Sequence, residues 1–91
     1  MSTIPVVLNI DQDHVALAVQ EARAKLDSSH GEFALDFSSV RRVDPAALRA
    51  LDEIAQAAAG KSIKIVIKNM SVDVYKALKL MKLASRFTFE N

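Results

Sequence analysis

Short apolar segments alternate regularly with helical patterns, and this alternation constrains the fold more than any other feature of the chain. The segments 4–10 (IPVVLNI), 33–37 (FALDF), 62–68 (SIKIVIK) and 87–89 (FTF) read as strands, because they are β-branched, aromatic or alternately apolar and polar. Strands separated by helices become parallel neighbours joined by right-handed crossovers. We therefore expect an α/β fold, ordered β-α-β-α-β-α-β, with a mostly parallel four-stranded sheet.

The strand patterns also predict how the sheet is covered. A parallel sheet with helices on both faces has strands that are apolar throughout. Here Asp36, Lys64 and Lys68 interrupt two of the central strands at alternate positions. We expect the helices mainly on one face of the sheet and a partly wet face opposite.

Each predicted helix has a recognisable start. Asp11, Asp44 and Ser71 are N-cap residues, and Pro45 suits the first turn of the second helix because its fixed φ is already helical. Gly60 is expected to stop that helix, and Gly31 to take a positive φ in the turn at 27–32. The expected inward-facing residues are Val15, Val19, Ala22 and Leu26, then Leu48, Leu51, Ala55 and Ala58, then Val74, Ala77, Leu78 and Met81.

Length and composition exclude several classes of protein. Ninety-one residues predict one domain, 1–91, and a net charge of +1 argues against a strong non-specific hold on nucleic acid. No signal peptide and no apolar run of membrane-spanning length is present, so we expect a cytoplasmic protein without membrane insertion. The charge is uneven, because the lysines cluster after residue 60. Lys76, Lys79 and Lys82 form either a solvated helix face or a basic surface that guides an acidic partner.

Residues that could carry chemistry are scarce. The chain has no cysteine, and its two histidines and its carboxylates lack the spacing of a metal site. With two glycines in all, it has no phosphate-cradling loop. Ser38 and Ser39 have no evident base to activate them. We therefore predict no catalytic, metal or cofactor site and no enzymatic activity.

Two stretches resemble the STAS family, the fold of the anti-sigma-factor antagonists. They are 35–48 (LDFSSVRRVDPAAL) and 62–89 (SIKIVIKNMSVDVYKALKLMKLASRFTF). The family shows a strand ending in Asp-Leu-Ser, then an Asp followed by Ser or Thr that opens a helix, then a strand and an Asn-Val-Ser-like turn. Asp36, Phe37 and Ser38 match the first element, and Asp44 and Leu48 bracket the second. Asn69, Ser71, Val74, Leu78, Leu83 and Phe87 fit the third. The resemblance covers nearly the whole chain and implies a single STAS-like domain.

The chain departs from this family pattern at the residue that carries the family's switch. In the family, a partner kinase phosphorylates the Ser or Thr directly after the Asp, and this releases the antagonist from its anti-sigma partner. That position is Pro45 here, which cannot accept a phosphoryl group. The resemblance therefore implies a non-phosphorylatable regulator, with Ser38 or Ser39 left open as other acceptors. A second departure is Lys82, where the family often has glycine; a positive φ there would cost about 1 kcal/mol.

The resemblance also implies a partner-binding surface at the start of the second helix and on its exposed side. The predicted residues are Arg41, Arg42, Asp44, Pro45, Ala46, Arg49, Ala50 and Glu53. The implied partner is an anti-sigma factor or a related serine-kinase-like regulator. A first alternative is the ATPase of a lipid-trafficking ABC transporter, to which the chain would be an accessory subunit. A second is a nucleotide or another small ligand, and a homodimer is also left open.

Overall fold

The computed structural model describes residues 6–26 and 31–90. Its strands are β1 (Val6–Asn9), β2 (Glu32–Asp36), β3 (Lys64–Lys68) and β4 (Thr88–Glu90), and its α-helices are α1 (Val15–Lys25), α2 (Pro45–Gly60) and α3 (Val72–Leu80). Short 3-10 turns, Gln12–His14 and Ala84–Arg86, precede α1 and β4. The predicted order of elements is confirmed, with strand boundaries shifted by one or two residues. The predicted start of the first strand, at residues 4 and 5, lies outside the described residues.

The four strands form one parallel sheet in the order β1-β2-β3-β4. Leu8, Leu35, Ile67 and Phe89 are register partners and form one row across it. Leu35 and Ile67 belong to a hydrophobic cluster that also contains buried residues of all three helices, and Leu8 and Phe89 pack against that cluster. The helices therefore cover this face, as the sequence predicts.

On the opposite face of the sheet, the two central strands carry charged residues at both ends and buried residues between them. Glu32 pairs in register with Lys64, and Asp36 with Lys68; these four side chains are exposed or half-buried. Ala34 and Val66, also register partners, lie between them and are fully buried. The predicted partly wet face is therefore found in the charged rows and at Val7 on the edge strand, which is 45% accessible, whereas the small residues between the charged rows of the two central strands are hidden from solvent. Among residues 6–26 and 31–90, no helix has the length and apolar character that crossing a membrane requires.

The α2 helix ends differently from the prediction. Gly60 is the last helical residue rather than the residue that stops the helix, and the left-handed position is Ser62, at φ 56°. The amide of Ile63 donates to the carbonyl of Ala58 at 2.9 Å, and that of Ser62 to Ala59 at 3.3 Å. This pair of bonds is a Schellman motif, which satisfies carbonyls left free at a helix end.

The α3 helix ends in the same motif. Leu83 donates to the carbonyl of Leu78 at 2.8 Å and Lys82 to that of Lys79 at 3.1 Å, with Lys82 at φ 60°. The expectation that Lys82 stands where glycine is favoured is therefore confirmed. The turn also exposes Met81, 57% accessible, which the helical pattern placed in the core. That prediction was wrong because α3 ends at Leu80, and Leu83 enters the core instead.

Replacing either left-handed residue by glycine should stabilise the protein. Ser62→Gly and Lys82→Gly each remove a Cβ from a backbone conformation that costs an L-residue about 1 kcal/mol. We expect each variant to gain about 0.5–1 kcal/mol of unfolding free energy in urea titrations, after the greater freedom of glycine in the unfolded chain is subtracted. Lys82→Ala is the control, because it removes the long side chain but keeps the Cβ. A gain in Lys82→Ala equal to that in Lys82→Gly would contradict the backbone explanation.

Candidate functional site

Helix starts gather at the edge of the sheet where the parallel strands end. Asp44 and Ser71 cap α2 and α3 as the sequence predicts. Asp11 caps the 3-10 turn before α1 and not α1 itself, whose N-cap residue is His14 and which has no side-chain cap. The carboxylate of Asp11 accepts from the amide of Asp13 at 3.0 Å, that of Asp44 from Ala47 at 2.8 Å, and the hydroxyl of Ser71 from Val74 at 3.3 Å. Each of these three side chains therefore satisfies one of the free amides at the start of the 3-10 turn, of α2 or of α3.

The start of α2 exposes two small residues. Asp44 caps the helix and Pro45 is its first residue, where a missing N–H has no cost. Pro45 and Ala46 are exposed, whereas Ala47 is 1% accessible and packs in the core. The accessible part of the helix start is therefore apolar and has little freedom to change shape.

The loop before α2 is held by a single side chain that the sequence reasoning did not select. The Oε1 atom of Gln12 accepts from the amides of Arg41 and Arg42, and its Nε2 atom donates to the carbonyl of Arg42 at 3.0 Å. The side-chain amide of Gln12 thus provides hydrogen-bond partners for backbone groups in a segment without regular secondary structure. It fixes the two arginines relative to the start of α1. This contact spans about thirty residues of sequence, so no local pattern points to it.

The structure leaves most of the predicted docking residues accessible. Those exposed are Arg41, Arg42, Asp44, Pro45, Ala46 and Arg49. Glu53 is half-buried, and its carboxylate lies 3.9 Å from the guanidinium group of Arg23 on α1. Ala50 is 3% accessible, so the expectation that it lies on the exposed side of α2 was wrong. It belongs to the hydrophobic core of a helix that packs against α1.

A groove opens beside the start of α2, between this helix and the end of α3. Its lining residues are Pro45, Leu48, Arg49, Asp52, Met81 and Leu83, around a volume of about 510 Å³. Leu48 and Met81, both predicted as core residues, are half-buried and exposed respectively. They give the surface around Pro45 an apolar depression that the sequence reasoning missed. Arg49 is the cationic residue in its lining and Asp52 the acidic one. Arg42 lines a different depression, between the starts of α1 and α2.

Asp36 organises the turn that follows β2. Its Oδ1 atom accepts from the backbone amide of Ser38 at 2.9 Å and from the side-chain amide of Asn69 at 3.4 Å. The Ser38 amide, followed by the Ser38 hydroxyl, Asn69 and Lys68, holds the pKa of Asp36 below its ordinary value, although partial burial opposes them. The carboxylate therefore links the loop after β2 to the turn after β3. Ser38 and Ser39 themselves are exposed.

Because the pKa of Asp36 is lowered, the unfolding free energy of the protein depends on pH in the acidic range. Because the pKa of Asp36 is lower in the folded than in the unfolded chain, its stabilising contribution is present above about pH 4 and is lost as the pH falls below it. In Asp36→Asn, the side chain can still accept from Ser38 but cannot titrate. The wild type should therefore lose more unfolding free energy than the variant between about pH 5 and pH 3. Urea titrations at both pH values measure this, and parallel losses would contradict the assignment.

One comparison with known proteins identifies the family, and another shows the shared fold. A family model described as "Mlab, STAS domain" matches residues 3–88. No curated protein matches the chain significantly. Among solved structures, that of a candidate anti-sigma factor antagonist from Thermotoga maritima superposes with a TM-score of 0.72 at 18% identity, over 97% of this chain and 75% of that one. At this identity the likeness shows a shared fold. Since the family model spans almost the whole sequence, the chain belongs to the family of Mlab-type STAS domains.

Proposed function

We propose that the chain is a non-catalytic protein-interaction module that binds its partner at the start of α2. The observation that carries this proposal is the juxtaposition of an exposed, capped helix start with an apolar groove. Pro45 borders both, and Met81 is 57% accessible on the other side of the groove. Exposed apolar side chains with arginines around them are typical of interfaces between proteins. We also propose that residues 1–91 act as one cytoplasmic domain.

The second part of the proposal is that this binding is not controlled by phosphorylation. The family's acceptor position is occupied by Pro45, and Ala46 follows it, so neither residue offers a hydroxyl. Proline fits the first position of α2, since it needs no N–H there and the Asp44 cap is kept. The fold is preserved while the switch is lost. The module is then constitutive, and its occupancy is set by the concentration of its partner.

The side chains of the proposed docking surface indicate what kind of partner it binds. An apolar side chain of the partner fits against Leu48 and Met81, and an acidic group fits beside Arg49 in the same groove. Arg41 and Arg42, exposed on the loop before α2, offer further positive charge. Two classes of partner satisfy this, an anti-sigma factor or serine-kinase-like regulator and the ATPase of an ABC transporter. Co-purification with proteins encoded beside the gene separates the two classes, because the regulator and the ATPase differ in size and sequence.

Nucleotide binding has less support from the site. The cavity between the starts of α1 and α2 holds about 400 Å³ and is bordered by Gln12 and Arg42. Asp13 and Asp44 also line it. These carboxylates repel the phosphates of a nucleotide. The surface is therefore better suited to a protein than to a nucleotide.

Substitutions at Pro45 test the proposed interface. Pro45→Ser and Pro45→Asp should both remain folded, with stability changes below about 1 kcal/mol, because serine is tolerated in a first turn and a negative charge suits the helix dipole. Pro45→Ser should bind the co-purified partner nearly as tightly as the wild type. Pro45→Asp should bind about tenfold more weakly or worse, a loss of about 1.4 kcal/mol, because it puts charge into an apolar contact. Isothermal titration calorimetry measures the affinities and urea titration the stabilities.

Gln20→Glu is the matched control, since it adds the same charge on the exposed side of α1. Its affinity should equal that of the wild type. A folded Pro45→Asp variant with wild-type affinity would show that the partner binds elsewhere.

A further inference from the structure

A second groove lies on the other side of α3, between this helix and β4. Its lining residues are Tyr75, Lys79, Lys82, Ala84, Ser85 and Phe89, and its volume is about 570 Å³. It shares no lining residue with the groove beside α2. The two grooves therefore flank α3 and could be occupied independently.

The floor of the second groove is aromatic. The rings of Tyr75 and Phe89 meet edge to face, with centroids 5.2 Å apart and planes at 82°. Tyr75 is 40% accessible, and Phe89, on the outer strand of the sheet, is half-buried. A rigid aromatic pair that faces solvent supplies contact area at a small entropy cost, which is why tyrosine is enriched in interfaces.

The rim of the groove is cationic. Lys79 and Lys82 are both exposed there, and Lys76 and Arg86 add positive charge nearby in the sequence. Within the described part of the chain, no carboxylate lies within ion-pair distance of Lys79 or Lys82. On a solvated helix face, lysines commonly have carboxylates three or four residues away in the sequence. This uncompensated charge instead complements an anionic ligand.

The turn that ends α3 places the Lys82 side chain at the groove. Lys82 has φ 60° there and lines the groove next to the aromatic floor. The strain of this conformation is not specific to the groove, since Ser62 has φ 56° in the same motif at the end of α2 and does not line it.

We propose that the groove formed by Tyr75, Phe89, Lys79 and Lys82 binds an acidic segment of another protein. An apolar side chain of that segment packs against the two rings, and flanking carboxylates lie beside the two lysines. A recessed aromatic floor with charges on its rim suits an inserted side chain better than a flat lipid surface. The site is separate from the start of α2, so its test is independent of the function proposed for that surface.

Nuclear magnetic resonance titration of the intact ¹⁵N-labelled protein tests the proposal with two peptides, acetyl-Asp-Leu-Glu-Phe-amide and its neutral counterpart acetyl-Asn-Leu-Gln-Phe-amide. The acidic peptide should shift the amide signals of Tyr75, Lys79, Ala84 and Phe89. The neutral peptide should bind several-fold more weakly, and added salt should remove the difference because exposed charges are screened. Lys79→Glu should weaken binding of the acidic peptide about fivefold. Lys76→Glu carries the same charge change outside the groove lining and should alter binding less than about twofold.

Three results would overturn the proposal. One is equal binding of the two peptides. Another is a set of shifts centred on Leu48 and Met81, which would place the peptide in the groove beside α2. The third is binding to vesicles of phosphatidylcholine and phosphatidylserine that Lys79→Glu abolishes while the acidic peptide fails to bind, because the occupant would then be an anionic membrane.

Discussion

The structure depends on one topological constraint, which is that each strand lies beside the next strand in the chain and runs parallel to it. A right-handed crossover between such neighbours returns on the same side of the sheet every time. All the described α-helices therefore share the face that carries Leu35 and Ile67. The opposite face is left to charged register pairs such as Glu32 with Lys64. The same constraint brings the helix starts to one edge of the sheet, and the proposed docking surface forms there.

At this edge, a hydrogen bond at the start of α2 and hydrogen bonds between distant segments order different parts of the backbone. The Asp44 cap fixes where α2 begins, and Gln12 fixes how the preceding loop lies against the start of α1. Together they order the backbone of the loop and of the first helical turn around Pro45. A partner that binds a surface already ordered in this way loses little conformational entropy in the protein. Such order is consistent with the proposal that the surface binds its partner without a covalent signal.

Local chemistry made much of the fold predictable from the sequence. Alternating strands and the caps Asp44 and Ser71 could be read directly, because a strand pattern or a cap depends on residues that are close in sequence. Asp11 is also a cap, but of the 3-10 turn that precedes α1. The burial of residues near the ends of helices could not be predicted in this way. A helical repeat extended past Leu80 places Met81 in the core, whereas the left-handed turn at Lys82 carries Leu83 there.

The candidate site was predicted less completely, for two physical reasons. Ala50 gives no polarity signal, so its position against the core depends on how α1 and α2 pack together. Gln12 acts through a contact that only the tertiary fold creates. The position of the site at the start of α2 came from the family resemblance, while the grooves on either side of α3 became visible only in three dimensions.

The proposed docking surface at the start of α2 is free of the phosphorylation switch implied by the resemblance to the STAS family, because Pro45 occupies the acceptor position. Intact-mass spectrometry of the protein purified from its native host, followed by peptide mapping, tests this claim most directly. We expect an unmodified mass, with no phosphate anywhere in residues 36–48. A phosphate mapped to Ser38 or Ser39 in a substantial fraction of the molecules would contradict it, because the switch would then have moved along the loop instead of being lost.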